Sequence, residues 1–177
     1  MSFANPEENI RQFGIKEGML VADFGAGSGA YALAAAEVVG RSGKVYAVEV
    51  QKEFLESVTK AAQEKRLSNI EVIWGDIENL GGTKIGDQQV DAVILSNVLF
   101  QVADKKGVVA EAKRILKPHG MVLVVDWLGS FGGLGPRQSE IFPEAQAWQL
   151  LGEHGFEIQK EIVAGDNHYG FIAQLVK

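Results

Sequence analysis

Short apolar runs alternate with amphipathic or alanine-rich stretches along the chain, and glycine marks most of the joints. The runs at residues 19–24, 44–50, 69–74, 90–96 and 121–128 have the length and near-continuous apolar character of strands covered on both faces. Residues 30–39, 52–65 and 105–116 between them carry helix patterns. Phe54, Val58 and Ala61 recur at the helical period, as do Val108, Ala112 and Ile115. Asn5 before Pro6, with Glu8 three positions after the cap, reads as the capped start of a short helix that Gly14 ends. Residues 75–89 read as a loop broken at Gly81 and Gly82, and Lys117-Pro118-His119-Gly120 reads as a turn. A glycine-rich loop at 129–138 precedes a helix at 143–154 and two strands, 157–163 and 169–176, on a short connection. Trp74, Trp148 and Phe54 read most simply as core.

Strands alternating with helices predict an α/β chain: a doubly wound, mostly parallel sheet with helices on both faces. The last two strands predict an antiparallel hairpin. The length of 177 residues suits one domain over 1–177, with residues 1–18 as a short N-terminal helical segment. No apolar run reaches about 18 residues, so no membrane insertion is expected. The first residues lack the basic and apolar regions of a signal peptide. Cys is absent, which excludes disulfides, thiolate metal sites and a cysteine nucleophile; no metal is expected. A cytoplasmic protein is the simplest reading. The net charge of −6, without a basic cluster, argues against a nucleic-acid partner.

The chemistry concentrates where the first strand ends. Asp23-Phe24-Gly25-Ala26-Gly27-Ser28-Gly29 places an acid and three alternating glycines between a strand and a helix. Glycine serves where the backbone takes positive φ or a ligand approaches closely. The first such loop of an open α/β sheet is where nucleotide-like ligands sit. Gly25, Gly27 and Ala30 satisfy the dinucleotide fingerprint G-x-G-x-x-A, and Glu49 ends the second strand where a carboxylate meets ribose hydroxyls. These two features fit NAD as well as other adenosine ligands. Asp23 is poorly placed for a pyrophosphate at a helix N-terminus but suits a cationic ligand. Gly75-Asp76-Ile77 follows the third strand, where a carboxylate can accept from an adenine amino group. The run from Asp91 to Ser96-Asn97-Val98-Leu99, and then Arg114-Ile115-Leu116-Lys117-Pro118, follow in order.

With these ordered motifs the chain resembles the class I S-adenosylmethionine-dependent methyltransferases, near the quinone-biosynthesis and arsenite methyltransferases. The resemblance implies a seven-stranded Rossmann-like sheet in the order 3-2-1-4-5-7-6, last strand antiparallel. It implies S-adenosylmethionine as methyl donor, with S-adenosylhomocysteine as product. Gly25, Ala26, Gly27 and Gly29 would line the methionine part, and Asp23 would favour its amino group. Glu49 would hold the ribose, with Val50 and Gln51 beside the adenine. Asp76 would meet the adenine amino group and Ile77 would pack on the ring. Ser96 and Asn97 would sit by the methyl group. Asn97 and Asp126 are the candidates for catalysis, and Trp127, His168 and Tyr169 for the acceptor. The loop 129–138 is a candidate lid.

Departures from the family narrow the acceptor. Arsenite methylation in the relatives relies on cysteines, which this chain lacks. Phe100 stands where relatives often carry His. The Asn/Asp-Pro-Pro-aromatic signature of amino-methyltransferases is replaced by Ser96-Asn97-Val98-Leu99. A small-molecule acceptor follows, with a homodimer as one way to complete an open site. A cofactor-binding protein without turnover, an NAD-dependent oxidoreductase, and an RNA or protein acceptor stand as the alternatives.

Overall fold

The computed structural model describes residues 4–130, 133 and 135–176. The elements are α1 (Pro6–Phe13), β1 (Leu20–Phe24), α2 (Ala30–Val39), β2 (Lys44–Glu49), α3 (Lys52–Glu64), β3 (Ile70–Trp74) and β4 (Val90–Ser96). α4 (Lys105–Ile115), β5 (Leu116–Trp127), α5 (Glu144–Glu153), β6 (Phe156–Glu161) and β7 (His168–Leu175) follow. The strands form one sheet in the order β3-β2-β1-β4-β5-β7-β6. β7 runs antiparallel to both its neighbours, and the other pairings are parallel. This is the order and polarity that the motif resemblance implies. The order reverses between β1 and β4, so the loops leaving those two strands diverge and open a crevice.

Alternation along each strand divides the core into two layers. Val21, Val45, Ala92 and Ile94 face α1, α2 and α3, where Ile10, Phe13, Ala35 and Val58 meet them. Phe24, Leu95 and Val124 face α4 and α5, against Ile115, Ala147 and Leu151. α2 is rich in alanine, and Ala32, Ala34, Ala35 and Ala36 are all buried, which lets the helix lie close on the sheet. Its N-cap residue, Gly29, has no side chain to cap the first turn, and the Ala32 N–H is taken instead by the Asp23 carboxyl at the end of β1. α1 begins as the capping pattern predicts: the Asn5 side chain accepts from the Glu8 N–H, and Pro6 opens the first turn.

Three readings change. Residues 117–120 are not a free turn; β5 already starts at Leu116, paired with Val90, and the register shifts between Val90 and Ala92. His119 takes a left-handed φ of 63° there, and Pro118, which has no N–H to offer a ladder, is accommodated at that irregularity. Phe54 and Trp74 are not core: they are 37% and 54% exposed, because β3 is an edge strand and Phe54 lies on the crevice rim. On α3, Val58 and Ala62 are the buried residues rather than Ala61. Trp148, by contrast, is half-buried and meets Phe171 edge-on at 6.1 Å between ring centroids.

Two polar clusters hold the loops around the crevice. The loop after β3 is anchored from beneath by Glu111 of α4, fully buried, which accepts from the N–H groups of Gly81 and Thr83 and from Arg114. Arg114 also donates to the Ile85 carbonyl and pairs with Asp87. α1 is clasped to the β6–β7 connection: Gln12 exchanges two bonds with the Val163 backbone, and Asn9 donates to the Ala164 carbonyl. The glycine-rich segment at 129–138 lies partly outside the described residues. Among those described, no helix is long and apolar enough to cross a membrane.

Candidate functional site

A cavity of about 580 Å3 opens at the carboxyl ends of β1, β2, β3 and β4. The loop 25–29 forms one wall. Gly25, Gly27 and Gly29 all take left-handed φ values, 66°, 51° and 85°, which L side chains rarely adopt. A Cβ on Gly29 would also stand 2.9 Å from a Val58 methyl, so the loop packs directly onto α3. The alternating glycines thus serve both backbone conformation and close approach.

Glu49 ends β2 and closes that loop. One carboxylate oxygen accepts from the Gly27 N–H at 2.9 Å; the other accepts from Val50 and Gln51 at 2.8 and 2.9 Å. Three donors occupy most of the four or so lone-pair positions of a carboxylate. Glu49 is 6% exposed and lines the cavity, so the remaining acceptor capacity faces a ligand.

Asp23 is the unusual group. It lines the cavity, is 2% exposed, and its Oδ2 has no hydrogen-bond partner among the described residues. Burial pushes its carboxyl up to about 7, against the pull of the Ala32 N–H, and the nearby Glu49 raises it further. A buried carboxylate without a counter-charge is costly. A cation bound in the cavity would relieve that cost. Asp76 lies at the far side, exposed, and accepts from the Glu78 N–H and the Asn79 amide, which shapes the loop that carries Ile77. Val50, Ala26 and Ser96 also line the cavity.

The candidates for catalysis and acceptor binding divide. Asn97 lines the cavity in a left-handed conformation, φ 55°, with its N–H donated to the Val125 carbonyl. His168 is 5% exposed and its Nε2 lies 3.1 Å from Asn97 Oδ1. Trp127 packs on the His168 ring at 4.3 Å between centroids. These three come together. Asp126 and Tyr169 face the opposite layer, as their paired register and burial require. Asp126, 1% exposed, accepts from the N–H groups of Trp127 and Phe100 and so holds the loop after β4. Burial pushes its carboxyl up to about 6, against the pull of those N–H groups. The Tyr169 hydroxyl donates to the Phe142 carbonyl. Of these five residues only Asn97 lines the cavity; Trp127 and His168 stand behind it, and Asp126 and Tyr169 lie away from it.

Sequence reasoning passed over several lining residues. Tyr31 on α2 reaches the cavity with a hydroxyl that accepts from the Asn9 amide at 2.8 Å. A lone tyrosine in an alanine-rich helix was the available signal. Phe54 and Gln101 line it too; Gln101 is signalled only by its place one helical turn after Asn97, whose carbonyl accepts from its amide. Among the described residues no group of three His, Cys, Asp or Glu could hold a metal ion.

A crevice at the strand-order reversal of a mostly parallel sheet, lined by a left-handed glycine loop, a strand-end glutamate and a buried aspartate with one unpartnered oxygen among the described residues, defines a class. A profile of the methyltransferase domain matches residues 15–167, and the chain belongs to the class I S-adenosylmethionine-dependent methyltransferase family. Among its relatives is an arsenite methyltransferase of Aquipseudomonas alcaligenes, 31% identical over 71% of this chain and 40% of that protein. A demethylmenaquinone methyltransferase of a Geobacillus strain is 28% identical over 68% of this chain and 50% of its own length. The chain therefore spans about half the length of the curated relatives it matches. A crystal structure of a SAM-dependent methyltransferase from Aquifex aeolicus superposes with a TM-score of 0.89, at 28% identity, covering 98% of this chain and 91% of that one.

Proposed function

We propose that this protein transfers the methyl group of S-adenosylmethionine to a small-molecule acceptor. The observation that carries the reading is Asp23: a buried carboxylate oxygen without a partner among the described residues, on a side chain that lines the same cavity as the glycine loop. Bound there, the ligand supplies an electrophilic methyl on a positively charged sulfur, with a neutral thioether as leaving group. Asp23 accepts from the ammonium of the methionine part. Glu49 uses its free acceptor capacity on the ribose while its backbone donors keep the carboxylate oriented. Ile77 and Phe54 border the adenine end, and Asp76 orders the loop there.

The chain contributes positioning rather than proton transfer. Displacement at a methyl group depends on alignment of nucleophile and leaving group, which binding in fixed geometry supplies. Among the described residues the cavity lining carries four acids, Asp23, Glu49, Asp76 and Glu78, and no Lys, Arg or His. That excess of negative charge fits a cationic donor and an uncharged acceptor, and disfavours an acceptor bearing phosphate or carboxylate. The lack of cysteine weighs against arsenite.

Calorimetric titration with S-adenosylhomocysteine and, separately, with NAD tests the reading. Micromolar affinity for the first with none for the second is expected. Preference for NAD, or binding of neither, overturns it. Formation of S-adenosylhomocysteine from S-adenosylmethionine across a panel of uncharged small acceptors then tests turnover.

A further inference from the structure

Asn97 lines the cavity next to Ser96, whose side chain bonds the Tyr31 hydroxyl. Three contacts fix it: its N–H on Val125, its carbonyl under Gln101, and its side-chain Oδ1 against His168 Nε2. A left-handed φ at a residue that is not glycine is sparsely populated; asparagine is among the residues most often found there. The surroundings that hold this conformation matter more than the residue's own preference.

We propose that His168 is a positioning residue that fixes the Asn97 amide with its NH2 group directed into the acceptor end of the cavity. The methyl acceptor is then held through an atom that carries a lone pair. The inference rests on the methyltransferase reading and adds the acceptor-side contact that reading lacks.

The direction of the amide follows from the hydrogen-bond balance. Two arrangements satisfy the 3.1 Å contact. In the first, His168 Nε2 carries the proton and donates to Asn97 Oδ1. In the second, Asn97 donates and the proton sits on His168 Nδ1. That Nδ1 is buried and has no partner among the described residues. The second arrangement would leave an orphaned buried N–H; the first leaves only an unused lone pair. Orphaned buried N–H groups are rarer and under-used acceptors are better tolerated. The first arrangement therefore holds, and the Asn97 NH2 group is the end left free. Asn97 is partly exposed, and its Nδ2 is not among the buried unpartnered atoms.

The fold makes His168 available for this. Trp127 pairs with His168 across β5 and β7, and the ring contact at 4.3 Å limits rotation of the imidazole. Its neighbour Tyr169 points to the other layer, so a one-residue slip of β7 would put a different side chain behind Asn97. His168 itself does not line the cavity and acts through Asn97.

The test is nitrogen-15 NMR of labelled protein, alone and saturated with S-adenosylhomocysteine. Wild type should show His168 as the neutral Nε2–H tautomer. His168→Phe should shift or broaden the Asn97 side-chain NH2 pair, and His168→Gln, whose amide can donate to Oδ1, should restore it. A neutral Nδ1–H tautomer in wild type overturns the proposal. So does an Asn97 NH2 pair that His168→Phe leaves unmoved. Should His168→Phe fail to fold, the wild-type tautomer alone decides. Binding of S-adenosylhomocysteine to the same samples is read separately: its failure counts against the donor site, while a wrong tautomer with intact binding counts against His168 alone.

Discussion

Substituting Asp23 with Asn separates the protein's own stability from its hold on the donor. Burial pushes the Asp23 carboxyl up to about 7 when no ligand is bound, against 3.8 for an ordinary aspartate. A cationic ligand needs it ionised. Below pH 7, binding must therefore drive a proton off, and affinity should fall about tenfold per pH unit, to about a hundredfold weaker at pH 5. The substituted amide cannot ionise, so Asp23→Asn should bind weakly with a flat profile between pH 5 and 8 and meet wild type near pH 5. Without ligand the sign reverses. A raised folded-state pKa stabilises the fold fully below about 4, and this contribution is lost as pH rises to about 7. The shift of about three units corresponds to about 4 kcal/mol. The amide removes the charge but leaves a buried polar group short of partners, which costs about 1–3 kcal/mol. The net expectation at pH 8 is a free protein about 2 kcal/mol more stable than wild type, with no gain at pH 4. Calorimetry with S-adenosylhomocysteine in buffers of different ionisation enthalpy reads the proton release, and urea denaturation reads the stability. A wild-type affinity that does not change between pH 5 and 8, with no proton released, would refute the reasoning.

Other sites give further expectations. Glu49→Gln places an NH2 group against backbone donors of Gly27 or of Val50 and Gln51, so donor affinity should fall about 10–100-fold by calorimetry; an unchanged Kd removes Glu49 from the ribose. Gly29→Ala combines a φ of 85° with a Cβ 2.9 Å from Val58, and should lose about 2 kcal/mol in denaturant melts. Glu111→Ala strips partners from Gly81, Thr83 and Arg114 in a buried network and should cost about 3–5 kcal/mol. Hydrogen exchange should then quicken first in the 75–89 loop; uniform exchange would place its role elsewhere.

Strand and helix limits were mostly legible because the fold is doubly wound. Both faces of β1, β4 and most of β5 are covered, so these strands appear as nearly continuous apolar runs interrupted by single acids. β3 breaks that rule as an edge strand, and its Trp74 looked like core for the same reason that a buried tryptophan would. Phe54 fell on the right helical period and still ended at the rim, since periodicity fixes a face but not the depth at which the face ends. The cavity residues on β1, β2 and the following loops lie close to their motifs in sequence, and so could be read. The contact between His168 and Asn97 spans 71 positions and depends on the register of β7, which no local pattern encodes. Asp126 illustrates the same limit: its place at a strand end was clear, its turn toward the opposite layer was not.

The clasp between α1 and the β6–β7 connection bears on how the molecule is made. Gln12 and Val163 are 151 positions apart, and Asn9 and Ala164 are 155 apart. On a ribosome α1 emerges before the β6–β7 connection and waits through the translation of the intervening strands for the residues that satisfy it. Ile10 and Phe13 can settle on α2 in the meantime, while Asn9 and Gln12 cannot complete their bonds. Loop closure over such a distance adds little to the final free energy, yet it delays the step that depends on it. Tyr31, whose hydroxyl Asn9 engages, stands at the cavity wall. That bond, between α1 and α2, need not wait, whereas the contact of His168 with Asn97 is completed only once β7 is in place.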